Sequence, residues 1–279
     1  MSNFVIKGTV LGHTYEKWRN DKDTLSSVLI SVMSTWEMNN SFNNKISTNL
    51  MREYGKVVNA YSGFMNDIHN LAITLDMIES NLEDKSLDFW KKLLYITLLV
   101  EVYFTNLRTI YDFTSYFPKV LIDEKNFSHL PSKKEGSIKE LIKFLKKENA
   151  KEVLSQEIID VFINCESNLD DVRNIRDMII HKGKEPILFI DNDDEVKISI
   201  NSKENNINLL PNILNEQEQA YDLKKYLSKI TNNLFDFIES LGEAMYQEFF
   251  KRDPNYGIYL GELTGICITN FIEFLGWGE

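Results

Sequence analysis

The chain has 279 residues, 43% of them hydrophobic and 26% charged, with a formal net charge of -11 and a sequence pI of about 5.0. A chain of this length can bury a hydrophobic core without disulfides or metal ions. Five prolines and twelve glycines are too few for a linker-rich or all-β protein, whose turns need these residues. The acidic charge argues against binding nucleic acid or anionic membranes through the overall field, so RNA would need a local basic patch.

The two cysteines, Cys165 and Cys267, lie far apart in apolar surroundings. We interpret them as buried, reduced thiols, because a disulfide framework or a zinc site needs more cysteines at closer spacing. The first residues do not form a secretory signal, and no uninterrupted apolar run reaches the ~18 residues of a membrane span. We therefore expect a cytoplasmic protein that uses no cofactor and no metal ion. The abundance of Asn, Ile and Lys suggests a bacterial source with an AT-rich genome.

In the first half of the chain, residues 4–12 are predicted to form a short strand or an extended arm. Apolar residues recur at helical spacing over 23–39, and a long helix is predicted from about 48 to 80. Residues 1–48 are interpreted as an N-terminal extension with one helix. The next predicted helix, 87–117, is apolar nearly all round, which is typical of a central buried helix.

In the second half, a short amphipathic helix is predicted over 137–148, and a longer one over 155–182 that Gly183 ends. Residues 187–200 show the alternation of a β-hairpin. A last long helix is predicted over 216–251.

These elements predict an all-α, up-and-down helical bundle with a small β-hairpin insertion. We assign the bundle to residues 49–253 and an aromatic, glycine-rich tail to residues 254–279. Helices 87–117 and 155–182 are expected to be adjacent and central. Residues 191–194 resemble a cation-binding loop only loosely, because the glycine and closing glutamate of a calcium loop are missing, so a hairpin turn is favoured.

Arg176 interrupts the apolar stripe of predicted helix 155–182. The residues of that stripe are Val161, Cys165, Leu169, Val172, Ile175 and Ile179. A buried guanidinium is costly unless it pairs with a carboxylate or a bound anion. We expect the partner on helix 87–117, where a polar row shares one face: Thr97, Glu101, Arg108, Asp112 and Ser115. Glu101 or Asp112 is the predicted partner of Arg176.

His181 lies in the last turn of the same helix, four residues after Asp177. At that spacing the Asp177 carboxylate can accept a hydrogen bond from the imidazole, fix its tautomer and favour its charged form. Histidine exchanges protons near neutral pH, and arginine holds a phosphate by two parallel hydrogen bonds, so Arg176 and His181 suit metal-free phosphodiester cleavage. On an ideal helix the two side chains point about 140° apart. We therefore expect a loosened helix end or a site shared by two chains.

The segment Arg176-Asp177-Met178-Ile179-Ile180-His181, near the end of a long helix, resembles the signature of the HEPN superfamily. The segment 106–112 (Asn-Leu-Arg-Thr-Ile-Tyr-Asp) looks like the partner helix of HEPN-like proteins, in which an Arg and an Asp face the motif. The resemblance covers roughly residues 50–250. It implies a four- or five-helix bundle that dimerises along the motif helix. It also implies a metal-independent endoribonuclease of the toxin, abortive-infection or antiviral-defence kind, in which the 2′-hydroxyl attacks the adjacent phosphate.

The resemblance assigns acid–base work to His181 and transition-state stabilisation to Arg176, with Asp177 completing the motif. Residues predicted to contact or support the substrate are Arg173, Lys182, Lys184, Arg108, Asp112 and Glu101. The expected partners are RNA, a second copy of the chain, and a protein antitoxin or activator, with no membrane. The alternative is a non-catalytic scaffold, in which Arg176 is a structural ion-pair residue, His181 caps the helix end, and the lysines are solvated.

Overall fold

A computed structural model describes residues 24–41, 47–131, 136–190, 195–201, 208–216, 219–259 and 261–276. Within these ranges the α-helices are α1 (Val28–Ser41), α2 (Thr48–Glu83), α3 (Phe89–Thr114), α4 (Ile138–Leu145), α5 (Gln156–Asn164), α6 (Glu166–Lys182), α7 (Leu223–Arg252) and α8 (Ile266–Phe274). The strands are β1 (Thr24–Ser26), β2 (Ile187–Ile190), β3 (Val196–Ser199), β4 (Tyr221–Asp222) and β5 (Glu262–Thr264). Short 3-10 helices span Phe117–Leu121, Glu124–His129 and Glu148–Glu152. The prediction of a mostly helical bundle with a small β insertion is confirmed.

Helices α2 and α3 form a long antiparallel pair that organises the core. Side chains cap both N-termini, because Ser47 accepts a hydrogen bond from the backbone of Leu50 and Asp88 accepts one from Lys91. Apolar residues at helical spacing fill their shared interior, including Phe64 on α2 and Phe104 on α3, both fully buried. Helix α3 also packs against α6. The helices predicted over 87–117 and 155–182 are thus neighbours, as expected.

The helix predicted over 155–182 is broken in two at Cys165. Helix α5 packs against α7, whereas α6 packs against α3. A single straight helix would have to present one apolar face to both neighbours, so the break lets each half turn its own face inwards. The Cys165 thiol is buried and donates to the carbonyl of Phe162, and burial raises its pKa to about 12. Cys267 is only partly buried, and both thiols are free.

The described parts of the predicted N-terminal extension and of the predicted tail belong to the same hydrophobic core as the bundle. Strand β1 pairs antiparallel with β5, with Leu25 opposite Leu263. Helix α1 packs against α7, and α8 packs against α2. These two segments therefore close the bundle rather than extend from it. The strand predicted over 4–12 lies outside the described residues.

The predicted hairpin over 187–200 forms, with Leu188 of β2 opposite Ile198 of β3. Its turn, 191–194, lies outside the described residues. Strand β3 also pairs with β4, which gives a three-stranded antiparallel sheet in the order β2-β3-β4. The last long helix begins later than predicted because the residues before it join this sheet, and Asp222 then caps α7 by accepting from the backbone of Lys225.

Helix α3 is buried on one side only, so the prediction of a helix buried all round is wrong. Its first half exposes large apolar side chains: Phe89, Trp90, Leu94, Tyr95, Leu98 and Val102. An all-apolar helix has no periodicity that shows which of its faces meets a neighbour. The segment Phe89–Leu121 is also the one described helix long and apolar enough to span a membrane by length and composition, a test that core helices of soluble proteins also pass.

Substitution by alanine should have opposite effects on stability at Gly242 and at Gly55. Gly242 lets α7 approach α1 so closely that a Cβ there would collide with the backbone nitrogen of Leu29. Gly242→Ala should therefore lower the free energy of unfolding by about 1–3 kcal/mol. Gly55 is an exposed residue within α2, away from the helix ends, with open space around it. Gly55→Ala should therefore raise the free energy of unfolding by about 0.5–1 kcal/mol. Urea unfolding of both variants tests this, and a neutral Gly242→Ala would contradict the close approach.

A buried ion pair ties α2 to the 3-10 helix Phe117–Leu121. Lys119 Nζ lies 2.9 Å from Glu53 Oε2, and Lys56 donates to the other carboxylate oxygen at 2.8 Å. Burial alone would raise the pKa of Glu53, but the hydrogen bonds from Lys56 and Lys119 outweigh it and lower this pKa from 4.5 to about 2.

This lowered pKa makes the Glu53 contribution to stability depend on pH. The stabilisation is complete above the unfolded-state pKa near 4.5 and is lost as the pH falls towards the folded-state pKa of about 2. Glu53→Gln should lower the free energy of unfolding near pH 7 by roughly 3 kcal/mol. Between pH 4.5 and about 2 the free energy of unfolding of this variant should fall less steeply with pH than that of the unchanged chain. Denaturant unfolding across pH measures both effects. Glu157→Gln, which breaks an exposed, solvent-screened pair with Lys251, is the control and should change both far less.

Candidate functional site

A polar cavity of about 460 Å³ lies between the second half of α3 and the last turns of α6. Its lining residues are Thr105, Arg108, Thr109 and Asp112 from α3, and Arg173, Arg176, Asp177 and His181 from α6. The packing of α6 on α3 thus brings together six of the nine residues predicted from the sequence.

Arg176 and His181 are in direct contact within one chain. Arg176 Nη1 lies 2.9 Å from His181 Nε2 and 3.2 Å from Asp177 Oδ1. A guanidinium can only donate, so Nε2 of His181 accepts and the proton of the neutral ring is on Nδ1. The angle of about 140° on an ideal helix describes the directions in which the side chains leave the backbone. The long arginine side chain overcomes that angle, and a second chain is not needed to join the pair.

Asp177 holds the two arginines of α6 rather than the imidazole. Its Oδ2 lies 3.4 Å from Arg173 Nε, and its Oδ1 accepts from Arg176. The distance from Asp177 Oδ1 to His181 Nε2 is 3.9 Å, beyond hydrogen-bond range. The prediction that Asp177 fixes the tautomer of His181 is therefore wrong, because Arg176 occupies the ring nitrogen that Asp177 approaches.

Asp112 pairs with Arg108, not with Arg176 as predicted. Asp112 Oδ1 lies 2.9 Å from Arg108 Nη1 and accepts a hydrogen bond from the backbone of Ile138, which anchors the start of α4. Burial raises the pKa of Asp112, and the charges of Arg108 and Arg176 offset part of this rise. Arg108 Nη1 is buried against the Asp112 carboxylate, and the two side chains together form part of the cavity wall on α3.

Three predicted residues lie outside this cavity. Glu101 is four residues before Thr105 on the same face of α3, where burial and the nearby Glu185 raise its pKa, and it is not a partner of Arg176. Lys182 and Lys184 line an adjoining cavity of about 630 Å³ that shares Arg173 and Asp177 with the first. The two cavities lie on either side of the Arg173–Asp177 pair, and the second is also lined by the carboxylate of Asp171.

Sequence reasoning missed Thr105 and Thr109 in the cavity wall. Both follow the polar row of α3 at helical spacing, since Thr105 is four residues after Glu101 and Thr109 is four after Thr105. Their hydroxyls donate to the backbone carbonyls of Glu101 and Thr105. The same spacing that identified Arg108 and Asp112 could have identified these two residues.

The cavity is open to solvent. The side chains of His181 and Arg176 are 61% and 32% exposed, so the prediction that Arg176 is buried in the apolar stripe is wrong, because it borders that stripe where α3 and α6 diverge. None of the described residues after Pro254 lines the cavity. Nor do the described residues contain a group of three or more His, Cys, Asp or Glu side chains arranged to hold a metal ion.

Comparison of the chain with protein-family models, with curated proteins and with solved structures finds no match. The chemistry of the site therefore has to be inferred from its own geometry. That geometry is a solvent-open cavity with three guanidinium groups, two carboxylates and one imidazole whose Nε2 lone pair is held by an arginine.

The contact between Arg176 and His181 predicts one tautomer. Above about pH 8, where imidazoles are neutral, long-range ¹H–¹⁵N NMR should show His181 protonated at Nδ1, because Arg176 donates to Nε2. In Arg176→Ala, His181 should sample both tautomers, whereas exposed His129, which lies outside the cavity, should keep its spectrum in both proteins. A His181 protonated at Nε2 in the unchanged chain would contradict the contact.

Proposed function

We propose that the chain is a metal-independent endoribonuclease of HEPN type that acts as a toxin or phage-defence effector in the cytoplasm. The observation that carries the proposal is the 2.9 Å contact between Arg176 Nη1 and His181 Nε2 inside a solvent-open cavity. An arginine that binds phosphate beside a neutral imidazole that can take up a proton is what cleavage of RNA by its own 2′-hydroxyl requires.

The charges in the cavity favour a single phosphodiester. Arg108, Arg173 and Arg176 carry three positive charges, and Asp112 and Asp177 carry two negative ones, which leaves one positive charge with His181 neutral. A bridging phosphate carries one negative charge and matches that excess. Lys182 and Lys184 in the adjoining cavity, which Asp171 also lines, add positive charge near the position of a neighbouring phosphate. These local positive charges would offset part of the repulsion between RNA and a chain with net charge -11.

Binding of phosphate would also free the base. Arg176 now donates to Nε2 of His181, which occupies the lone pair that a general base needs. A phosphate offers the guanidinium a charged acceptor, so Arg176 would turn to the phosphate and release Nε2. His181 then takes the proton of the 2′-hydroxyl as the 2′-oxygen attacks phosphorus, and the bond from phosphorus to the 5′-oxygen breaks. Water protonates the leaving oxygen, and a 2′,3′-cyclic phosphate and a 5′-hydroxyl remain.

The alternative is a non-catalytic, HEPN-like scaffold that binds a partner protein. Two observations favour it: the chain is acidic, and both carboxylates of the cavity already neutralise arginines. The solvent-open position of His181 favours the enzyme, because a purely structural Arg–carboxylate network does not need an accessible imidazole. A protein antitoxin or activator that controls access to the cavity fits either function.

Cleavage of a mixed RNA by the purified chain tests the proposal. His181→Ala should lower the rate by about 10²–10⁴-fold, Arg176→Ala should lower it comparably, and addition of EDTA should not change it. The RNA products of the unchanged chain should end in cyclic phosphate. His129→Ala and Arg52→Ala, which change exposed residues outside the cavity, should retain the full rate.

Both active-site variants should fold. Asp177 keeps Arg173 after Arg176 is removed, so Arg176→Ala should cost about 1 kcal/mol or less, as for a solvent-screened pair. Activity that persists in His181→Ala would show that this histidine is not the base, and loss of activity in EDTA would refute the metal-independent mechanism. A folded chain that cuts no RNA, with or without its partner protein, would favour the scaffold.

A further inference from the structure

Six large apolar side chains form an exposed surface on the first half of α3, here named the α3 stripe. They are Phe89, Trp90, Leu94, Tyr95, Leu98 and Val102, and each is between 41% and 73% exposed. Trp90, Leu94, Leu98 and Val102 follow one another every four residues, so they form a row about 18 Å long that turns by about 120° around the helix. Exposed apolar side chains scattered singly need no explanation, but a contiguous row of this kind marks an interaction surface.

The α3 stripe and the cavity occupy the same side of one helix. Thr105 and Thr109, in the cavity wall, follow Val102 by one and two turns. Strand β2 packs beside α3 and adds two outward-facing apolar side chains, Ile187 and Phe189, which are 44% and 40% exposed. The apolar surface thus extends from Trp90 towards the cavity and sideways onto the hairpin.

The size of this surface fits a second copy of the chain. Six side chains of these types and exposures present roughly 500–700 Å² per copy, and the flanking β2 residues increase this value. A standard protein interface buries about 800 Å² per partner, so two stripes packed together reach the size of a stable dimer. An apolar row on one helix can also pack against itself, because a two-fold axis places the row of one copy against the same row of the other.

The charges beside the α3 stripe argue against a lipid surface as the occupant. Peripheral membrane helices carry many lysines and arginines on their polar face. Here Lys91 and Lys92 are the flanking cations, and Lys92 is held by the carbonyl of Leu82 at 2.7 Å. The chain as a whole has a net charge of -11, which anionic lipids would repel.

We propose that a second copy of this chain covers the α3 stripe in an antiparallel, two-fold arrangement centred between Leu94 and Leu98. Arg108 is then about 18 Å along α3 from the two-fold axis, and the two cavities are about 36 Å apart. Each cavity is complete within one chain, so the dimer does not share a site. This surface differs from the motif helix α6, and it does not depend on whether the chain cleaves RNA.

The first experiment measures mass in solution by light scattering over a concentration series. The unchanged chain should give twice its 32.6 kDa, and Leu94→Lys/Leu98→Lys should give the mass of one chain with an unchanged helical circular dichroism spectrum. Ile266→Lys replaces an 83% exposed apolar residue outside the α3 stripe, so it is the matched control and should remain dimeric. A monomeric unchanged chain overturns the proposal, as does a double variant that still dimerises.

The second experiment locates the interface. In a Cys267→Ser background, Leu98→Cys near the two-fold axis should form an intermolecular disulfide on mild oxidation, whereas exposed Asn174→Cys on α6 should not. Crosslinking at Asn174 but not at Leu98 overturns the proposal in favour of a dimer through the motif helix. Co-sedimentation with phosphatidylcholine vesicles, with Trp90 emission shifting to the blue, would show that lipid covers the stripe and would also overturn it.

If RNA cleavage is observed, a mixture of two inactive variants further distinguishes a dimer through the α3 stripe from a dimer through the motif helix. Arg176→Ala mixed with His181→Ala should stay inactive, because Arg176 and His181 meet within one chain. Recovery of activity in that mixture would show a shared site and overturn the separation of the cavities.

Discussion

The packing of α6 against the second half of α3 is the contact on which the candidate site depends. Helix α6 buries one side, including Val172, Ile175 and Ile179, so its polar residues must lie along the edges of that side. Arg173 and Arg176 thereby face α3 at short range. Helix α3 meets them with Arg108 and Asp112 rather than with the apolar residues of its first half. An apolar wall at this position would leave two partly desolvated guanidinium groups to share the single carboxylate of Asp177, which is costly.

Three guanidinium groups in one cavity are kept together by two carboxylates with different environments. Asp112 is held by Arg108 and by the backbone of Ile138, and burial raises its pKa. Asp177 is about equally exposed and contacts both arginines of α6. Asp112 therefore joins α3 to α4, and Asp177 holds the two arginine side chains of α6 in place. An anion that enters the cavity can therefore draw Arg176 away without disturbing the contact that Asp112 makes between α3 and α4.

Much of the fold follows from local sequence patterns. The helical spacing over 48–80 predicted α2, and Gly183 ended α6 as expected, because its φ of 58° is a conformation that glycine adopts at low cost. The break at Cys165 and the pairing of β1 with β5 could not be predicted, since both are set by contacts between segments distant in the chain. Periodicity also could not show that one side of the first half of α3 is left exposed.

The site shows a different limit of sequence reasoning. The motif residues were identified from spacing, and six of the nine candidates meet in one cavity. Their partners were assigned incorrectly, because spacing gives the direction of a side chain and not its reach. Arg176 can span the angle to His181 since its guanidinium lies at the end of a long flexible chain, whereas Asp177 is too short to complete a hydrogen bond at 3.9 Å.

The two proposed surfaces on α3 would respond in opposite ways to salt. Association through the α3 stripe would bring together two chains of net charge -11, so salt would screen their repulsion while the apolar attraction is retained. Phosphate binding in the cavity would depend on attraction between charges and would weaken as salt rises. The division of α3 into an apolar first half and a polar second half would therefore let salt favour the proposed dimer and oppose the proposed anion binding, although both surfaces occupy one side of one helix.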